Sequence, residues 1–393
     1  MKILMLTYEI KDQGGNFIRA FSLAKNLVKL NHKVTLLTGN PTINLHYKSS
    51  IIDGVKLIEV PDIFPKRLRH DGWSPMQIFF RCVYVLTHRF DLVHGFGHRP
   101  SVIIPCLLYR LLYKKPYVAD WADLWGLGGI ATLRHKFIGK IEGFIDDILE
   151  KFTYKSVNGI SVINTYLQKK VVNLRKSSDN LLLQVGSDIE VIKPLNKNLM
   201  RKKYGFSLHI PILIHLGNAS YDAEFLAKTF IELKKINQKV IMLHIGKYMY
   251  EFENLINQSG FGNAVINKGF VSHDHIQELL ACGDVMCLPY THKTINLGRY
   301  PNKIGDYLAA GKPIVTNPTG DMKNLFNKTK IGILVKESPI KMAKAINQLL
   351  KNKRLQYQYG KNARKLAEDN LSWLKLSKNL QKYYLSVLSK KLS

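Results

Sequence analysis

Short apolar runs alternate with longer amphipathic stretches along most of the 393 residues. Residues 3–6, 34–37, 91–95, 116–120, 159–163 and 181–185 are too short for helices and rich in Val, Ile and Leu, which predicts buried parallel strands. Between the first two runs, Phe17, Ala20, Phe21, Ala24, Leu27 and Val28 fall at helical spacing. The result is a βαβ unit whose first strand-to-helix junction carries Gly14 and Gly15, where backbone N–H groups can approach a pyrophosphate; a flexible turn would look the same. The pattern restarts at residues 211–217, with further strands at 240–245, 264–266, 285–288 and 313–315 and helices between them. Residues 189–198, with Pro194, read as a linker. Periodicity therefore predicts an α/β chain of two doubly wound, Rossmann-like parallel-sheet domains, residues 1–190 and 191–371, with strand-end loops facing a central cleft.

Three segments stand out against this frame. In 134–151, Phe137, Ile138, Ile141, Phe144, Ile145, Ile148 and Leu149 share one helical stripe, which predicts a core-facing amphipathic helix. Residues 66–90 interleave Lys66, Arg67, Arg69, His70, Arg81, His88 and Arg89 with Trp73, Met76, Ile78, Phe79 and Phe80. That mixture suits an anionic membrane surface or, equally, a segment packed on its own domain. Residues 297–315 read as loop, short helix opening at Pro301, left-handed turn at Gly311 and buried strand. Asn302, Lys303 and Asp306 share one face of that helix, while Ile304 and Leu308 must pack inward. Arg299 and Lys303 at its N-terminal end suit a phosphate, and Asp306 one turn on suits a diol such as a ribose. An exposed Lys–Asp pair is the plainer alternative.

Composition is that of a soluble globular protein, 46% hydrophobic and 22% charged, except for a net charge of +29. Such a balance fits a polyanionic partner (lipid headgroups, nucleic acid or a phosphorylated substrate), although genomic base composition accounts for lysine excess as well. Cys82, Cys106, Cys282 and Cys287 show no metal-binding or redox spacing and read as buried free thiols. No secretory signal opens the chain, and no apolar run reaches the roughly 20 residues of a membrane span, so a soluble or peripheral protein is expected.

Open parallel sheets bind ligands at the carboxyl ends of their strands, which puts His94, His98, Asp120 and Asp123 near any site. The run 120–129 holds two carboxylates, Trp121, Trp125 and three glycines. It suits a sugar-facing loop, in which aromatic faces meet C–H surfaces and carboxylates accept from hydroxyls. A carboxylate base or metal ligand is the competing reading, without metal-ligand spacing to support it.

Taken in order, these blocks resemble the GT-B glycosyltransferases, and within them the retaining glycosyltransferase family 4. The resemblance runs from Gly14-Gly15 and the first helix through the Asp91-Leu-Val-His94 strand, then Lys268-Gly-Phe-Val271 and Asp284-Val-Met-Cys-Leu-Pro289. It continues through Pro301-x-Lys303-x-x-Asp306-Tyr-Leu-Ala-x-Gly-Lys-Pro313 to Ser372-Trp373. It implies a metal-independent, retaining transfer of a sugar from a UDP- or GDP-sugar to an acceptor hydroxyl, with no cofactor required. It also implies that helix 372–393 crosses back onto the first, acceptor-side domain, leaving 191–371 as the nucleotide-sugar domain.

Carried over by position, Asp306 would hold the ribose, Lys303 would face the diphosphate, and Gly15 would meet it from the first domain. The backbone of Gly269, Phe270 and Val271 would read the base. Gly14, Gly217, Lys247, Arg299 and Asn302 complete the expected nucleotide-sugar contacts. Lys303, Asp120 and Asp123 are the catalytic candidates, and His94, His98, Trp121 and Trp125 the candidates for acceptor or sugar. The chain also departs from the family. The first glutamate of its paired motif falls on Gly298, the usual phosphate-binding Arg and Lys fall on Asn218 and Glu224, and the sugar-contacting His falls near Ala122. The expected setting is surface polysaccharide or glycolipid synthesis, in the cytoplasm or on the inner face of the membrane. The expected acceptor is a glycan, free or lipid-linked, with no nucleic acid involved. The rival readings are a nucleotide-sugar epimerase or hydrolase that needs no acceptor, and a basic nucleic-acid-binding protein.

Overall fold

Each apolar run becomes a strand in one of two sheets of the computed structural model, which describes residues 1–133, 136–218, 221–247 and 249–390. The chain divides into two units. One comprises Met1–Val185, Gly298–Tyr300 and Trp373–Ser393, and the other Gly186–Leu297 and Pro301–Ser372.

The first unit contains β1 (Lys2–Ile10), β2 (Lys33–Gly39), β3 (Lys48–Ile52), β4 (Val55–Glu59), β5 (Leu92–Phe96), β6 (Tyr117–Trp121), β7 (Gly159–Val162) and β8 (Leu181–Leu182). They lie in the order β3-β4-β2-β1-β5-β6-β7-β8, parallel except for β3. Central β1 pairs with β2 on one side and β5 on the other, and Ile3, Leu4, Met5 and Leu6 are wholly buried. Such two-sided burial is what an unbroken β-branched and aliphatic run encodes. The β3–β4 hairpin falls outside the sequence reading. Its two turn residues, Asp53 and Gly54, both have positive φ, as a two-residue hairpin turn matched to strand twist requires.

The second unit contains β9 (Ile212–Leu216), β10 (Ile241–Ile245), β11 (Val265–Asn267), β12 (Val285–Leu288), β13 (Ile314–Thr316) and β14 (Gly332–Leu334). All six are parallel, in the order β11-β10-β9-β12-β13-β14. Residues 197–203, partly assigned to a linker above, form a helix N-capped by Asn196. Its buried Arg201 donates to Asp284 at 2.7 Å, at the start of β12. Burial opposes ionisation of Asp284, yet Lys197 and Arg201 hold its carboxyl down to about 2.

The last helix, Trp373–Ser389, belongs to the first unit and packs on the helix Gly15–Lys29. Ser377 Oγ donates to the Leu23 carbonyl, and the Ile160 N–H donates to the Tyr383 hydroxyl at 2.9 Å. Tyr384 Oη lies 2.6 Å from His94 Nδ1.

The helix Lys136–Ser156 overturns an expectation. Ile141, Phe144, Ile145 and Ile148 of the supposed core-facing stripe are exposed, while the side chains of Phe137 and Ile138 lie outside the described residues. The inward face instead carries Gly143, Asp146, Glu150, Thr153 and Tyr154. Asp146 Oδ1 accepts from Arg99 at 2.5 Å and lies 3.2 Å from His98 Nε2; all three residues are buried. Glu150 accepts from the N–H groups of Trp125 (2.8 Å) and Gly126 (3.3 Å). The polar groups that pair with the interior of the first unit sit on this helix, and they decide which face turns in.

Candidate functional site

In the first unit, candidate groups gather at the carboxyl ends of β1, β5 and β6. Gly14 has φ +85°, and a Cβ there would lie 2.3 Å from the Glu9 carboxylate. Glu9 Oε2 accepts from the Phe17 N–H at 2.6 Å, so this helix N-terminus, expected to meet a phosphate through Gly15, already holds a carboxylate of its own chain. Burial pushes the Glu9 carboxyl up to about 8; the Phe17 N–H counters this and Asp123 adds to it.

Asp120 is fully buried and committed. Its oxygens accept from Arg19 Nε (2.8 Å), Arg19 Nη2 (3.0 Å) and Ser161 Oγ (2.6 Å), so it anchors Arg19 instead of standing free as a base. Asp123 is half-buried. Burial lifts its carboxyl to about 6 against the opposing charges of Arg299 and Arg19. Arg299 therefore belongs with Asp123 in the first unit and not, as expected, with the helix that follows it. The neighbouring Gly298 carbonyl accepts from the Leu124 N–H at 2.8 Å, and a Cβ at 298 would lie 2.4 Å from Leu124 Cβ. That approach is the physical reason no glutamate can stand at this position here.

The other sugar and acceptor candidates are mostly internal. His94 is buried against Tyr384, and burial lowers it to about 4, so it is neutral. His98 is likewise buried, beside Asp146. Trp121 stacks on Tyr154 with centroids 4.2 Å apart, which makes it a core residue rather than a sugar platform. Trp125 is half-buried with the Arg99 guanidinium 4.2 Å above its ring. Arg69 and Arg81, read above with the basic segment 66–90, are buried too; Arg81 donates to the Ser101 carbonyl. Most of that segment packs on its own unit.

In the second unit, the helix runs Lys303–Ala309, beginning later than predicted, and Gly311 takes the expected left-handed conformation. Tyr307 pins it to the sheet. The Leu216 N–H donates to Tyr307 Oη at 2.8 Å, and that hydroxyl lies 3.3 Å from the Cys287 carbonyl. Gly305 permits close packing, since a Cβ there would lie 2.3 Å from the Gly186 carbonyl oxygen.

Lys303 points to the carboxyl ends of β9 and β10. Its Nζ lies 3.1 Å from His215 Nε2 and 3.2 Å from the Asn218 carbonyl. His215 Nδ1 lies 3.1 Å from His244 Nδ1, and His244 Nε2 lies 3.0 Å from the Lys247 carbonyl. Only one proton arrangement satisfies the chain with neutral rings. His244 donates through Nε2, His215 donates through Nδ1 to His244, and the Lys303 ammonium donates to His215 Nε2. Burial, then Lys303 and then His244, hold His215 well below its ordinary value; burial also lowers His244.

Glycines let the strand ends close on this point. Gly217 has φ +71°, with Lys303 Cε 3.8 Å from the place of a Cβ, and a Cβ on Gly246 would lie 2.9 Å from Gly217 Cα. Asp306 is half-buried; burial and the Asp188 charge push its carboxyl up to about 7. Asn302 and the Lys247 side chain are exposed. Beyond β11, Gly269 has φ +63°, Phe270 is 87% exposed and Val271 is half-buried. Glu224 pairs with Lys228 one helical turn on.

Glu9, His215 and His244 escaped the sequence reading. For the histidines a signal existed: His215-Leu-Gly217 and His244-Ile-Gly246 repeat His-x-Gly at the ends of adjacent strands.

Two parallel α/β units of this topology are those of the GT-B fold. Residues 210–352 match the glycosyl transferases group 1 family, and the chain is a glycosyltransferase. An uncharacterised glycosyltransferase of Methanocaldococcus jannaschii is 22% identical over 83% of this chain and 80% of its own. Among solved structures, the sucrose-phosphate synthase of Thermosynechococcus elongatus aligns with a TM-score of 0.81 at 15% identity, over 99% of both chains. The HepE protein of Anabaena, crystallised with UDP-glucose, aligns at 0.73 and 16% identity, over 98% of this chain and all of its own.

Proposed function

We propose that the protein transfers a sugar from a nucleotide-diphosphate sugar, UDP- or GDP-linked, to an acceptor hydroxyl with retention at the anomeric carbon. The observation that carries this reading is the Lys303 ammonium, aimed by the His215–His244 pair at the glycine-lined strand ends, with Asp306 on the same short helix. The second unit takes the donor. Lys303 binds the diphosphate, and Asp306, when ionised, accepts from the ribose hydroxyls. The exposed Phe270 offers a face to the base, with Gly269 and Val271 beside it. The HepE complex with UDP-glucose supports this donor class. The first unit takes the acceptor, with Asp123 as its reachable carboxylate.

In the reaction, the bond from the anomeric carbon to the diphosphate oxygen breaks and its electron pair stays with the diphosphate. The acceptor oxygen bonds the same carbon from the same face, and its proton passes to the departing diphosphate. A fixed cation stabilises the charge that develops on the leaving group. The acceptor class that fits the +29 chain is a surface glycan or glycolipid precursor on the inner face of the membrane. A thermal-shift panel of UDP- and GDP-sugars tests donor binding, since a bound donor raises the melting temperature by mass action. Lys303→Ala is expected to lower kcat by about 10²-fold. Undiminished transfer by that variant removes the lysine from the mechanism, and sugar epimerised or hydrolysed without acceptor at the full rate replaces the transferase reading.

A further inference from the structure

The helix Lys136–Ser156 is amphipathic with its apolar side outward. At about 100° per residue, Ile141, Phe144, Ile145, Ile148 and Phe152 share one side, spanning about 16 Å along the axis. All five are exposed; Phe144 is 58% and Phe152 52% open to solvent. The opposite side is polar and engaged, through Asp146 with Arg99 and His98 and through Glu150 with the backbone N–H groups of Trp125 and Gly126. The helix cannot roll its stripe inward without breaking these buried polar contacts, so the outward apolar face is fixed by the fold.

The charge around the stripe says what covers it. Lys140 lies along one edge, beside the Lys151–Asp147 pair, and Lys155 continues the stripe toward the helix end; Lys140 and Lys155 are exposed. Two carboxylates flank the same face and both are neutralised, Glu142 by Arg67 at 3.0 Å and Asp147 by Lys151 at 2.6 Å. An apolar stripe with a basic rim, on a chain of net charge +29, complements an anionic surface and repels a second copy of itself. Apolar side chains enter the acyl boundary while lysines meet the headgroups.

We infer that this face docks the first unit on an anionic lipid bilayer. The inference deepens the proposed function, resting on it only in taking the acceptor to be lipid-borne, and it names the surface that meets the lipid. The full chain is floated with vesicles of phosphatidylcholine alone and with phosphatidylglycerol added. It is expected to rise with the anionic vesicles and stay behind with the neutral ones. Phe144→Asp combined with Ile148→Asp changes only exposed positions, so its melting temperature should match that of the parent. Its affinity for the anionic vesicles should fall at least about tenfold.

The inference is overturned if the double variant floats as well as the parent, or if the parent binds neither vesicle. It also falls if sedimentation shows a dimer that the double variant abolishes, which assigns the face to a second copy. Binding of the UDP- and GDP-sugar panel by both proteins, read by thermal shift, keeps the two questions apart. Flotation without binding of any donor in the panel retires the proposed function and leaves the docking face standing. Donor binding without flotation does the reverse.

Discussion

Lys303 keeps its ammonium in place through two side chains on neighbouring strands, His215 and His244, which are direct partners in the β9–β10 register. His215→Ala removes the acceptor facing Lys303 and leaves a buried His244 nitrogen unpaired, at a cost of about 1–3 kcal/mol. That variant should raise the KM for donor and lower kcat. His215→Gln, which carries both an acceptor and a donor, should recover much of the loss when the two are compared in steady-state kinetics. Asp306 gives a prediction with a definite sign. Its folded value of about 7 lies above the ordinary carboxyl value, so the folded state holds its proton more tightly than the unfolded chain. Ionisation therefore weakens the fold as pH rises through about 7, and the penalty vanishes below the unfolded value. Asp306→Asn should melt higher than the parent at pH 8, with the gap shrinking by pH 5, while losing donor affinity at pH 8. That Lys303 and Asp306 share one helix was legible from their three-residue spacing. The histidine pair was not, because it exists only once the strands are aligned.

At the scale of elements, the helix Lys303–Ala309 carries both proposed donor contacts, and its position depends on a glycine. Gly305→Ala would drive a Cβ into the Gly186 carbonyl and push the helix outward. Melting temperature and donor affinity should fall together, and recovery of either alone would contradict this account. Strands were legible because two-sided burial demands an apolar residue at nearly every position. The helix Lys136–Ser156 was misread for a related reason: periodicity reveals a stripe but not which way it faces. Here the decision rests with Asp146 and Glu150, whose partners Arg99 and Trp125 lie far away in sequence. The β3–β4 hairpin went unread although Asp53-Gly54 between apolar runs is a direct turn signal.

At the scale of the molecule, two sheets were foreseeable from the restart of the strand pattern near residue 210. The segments that return to the first unit were legible only in part. The crossing of the last helix came from family resemblance, and nothing in the sequence marked Gly298–Tyr300 as part of the first unit. The first unit therefore lacks a finished surface without the helix Trp373–Ser389, which meets the helix Gly15–Lys29 and reaches His94. A fragment of residues 1–185 should show no cooperative thermal transition by circular dichroism. A cooperative transition in that fragment alone would show that the last helix is dispensable.

The same helix sets an order of events during synthesis. A ribosome makes residues 1–185 first, yet their surface is completed by a helix made only after the whole second unit. The second unit, which lies within residues 186–372, has all its parts before the helix Trp373–Ser389 exists. The half that is made first is thus the half that finishes later. Until that helix emerges, the apolar face of the helix Gly15–Lys29 waits for a partner, and that interval is when chaperones should be most engaged.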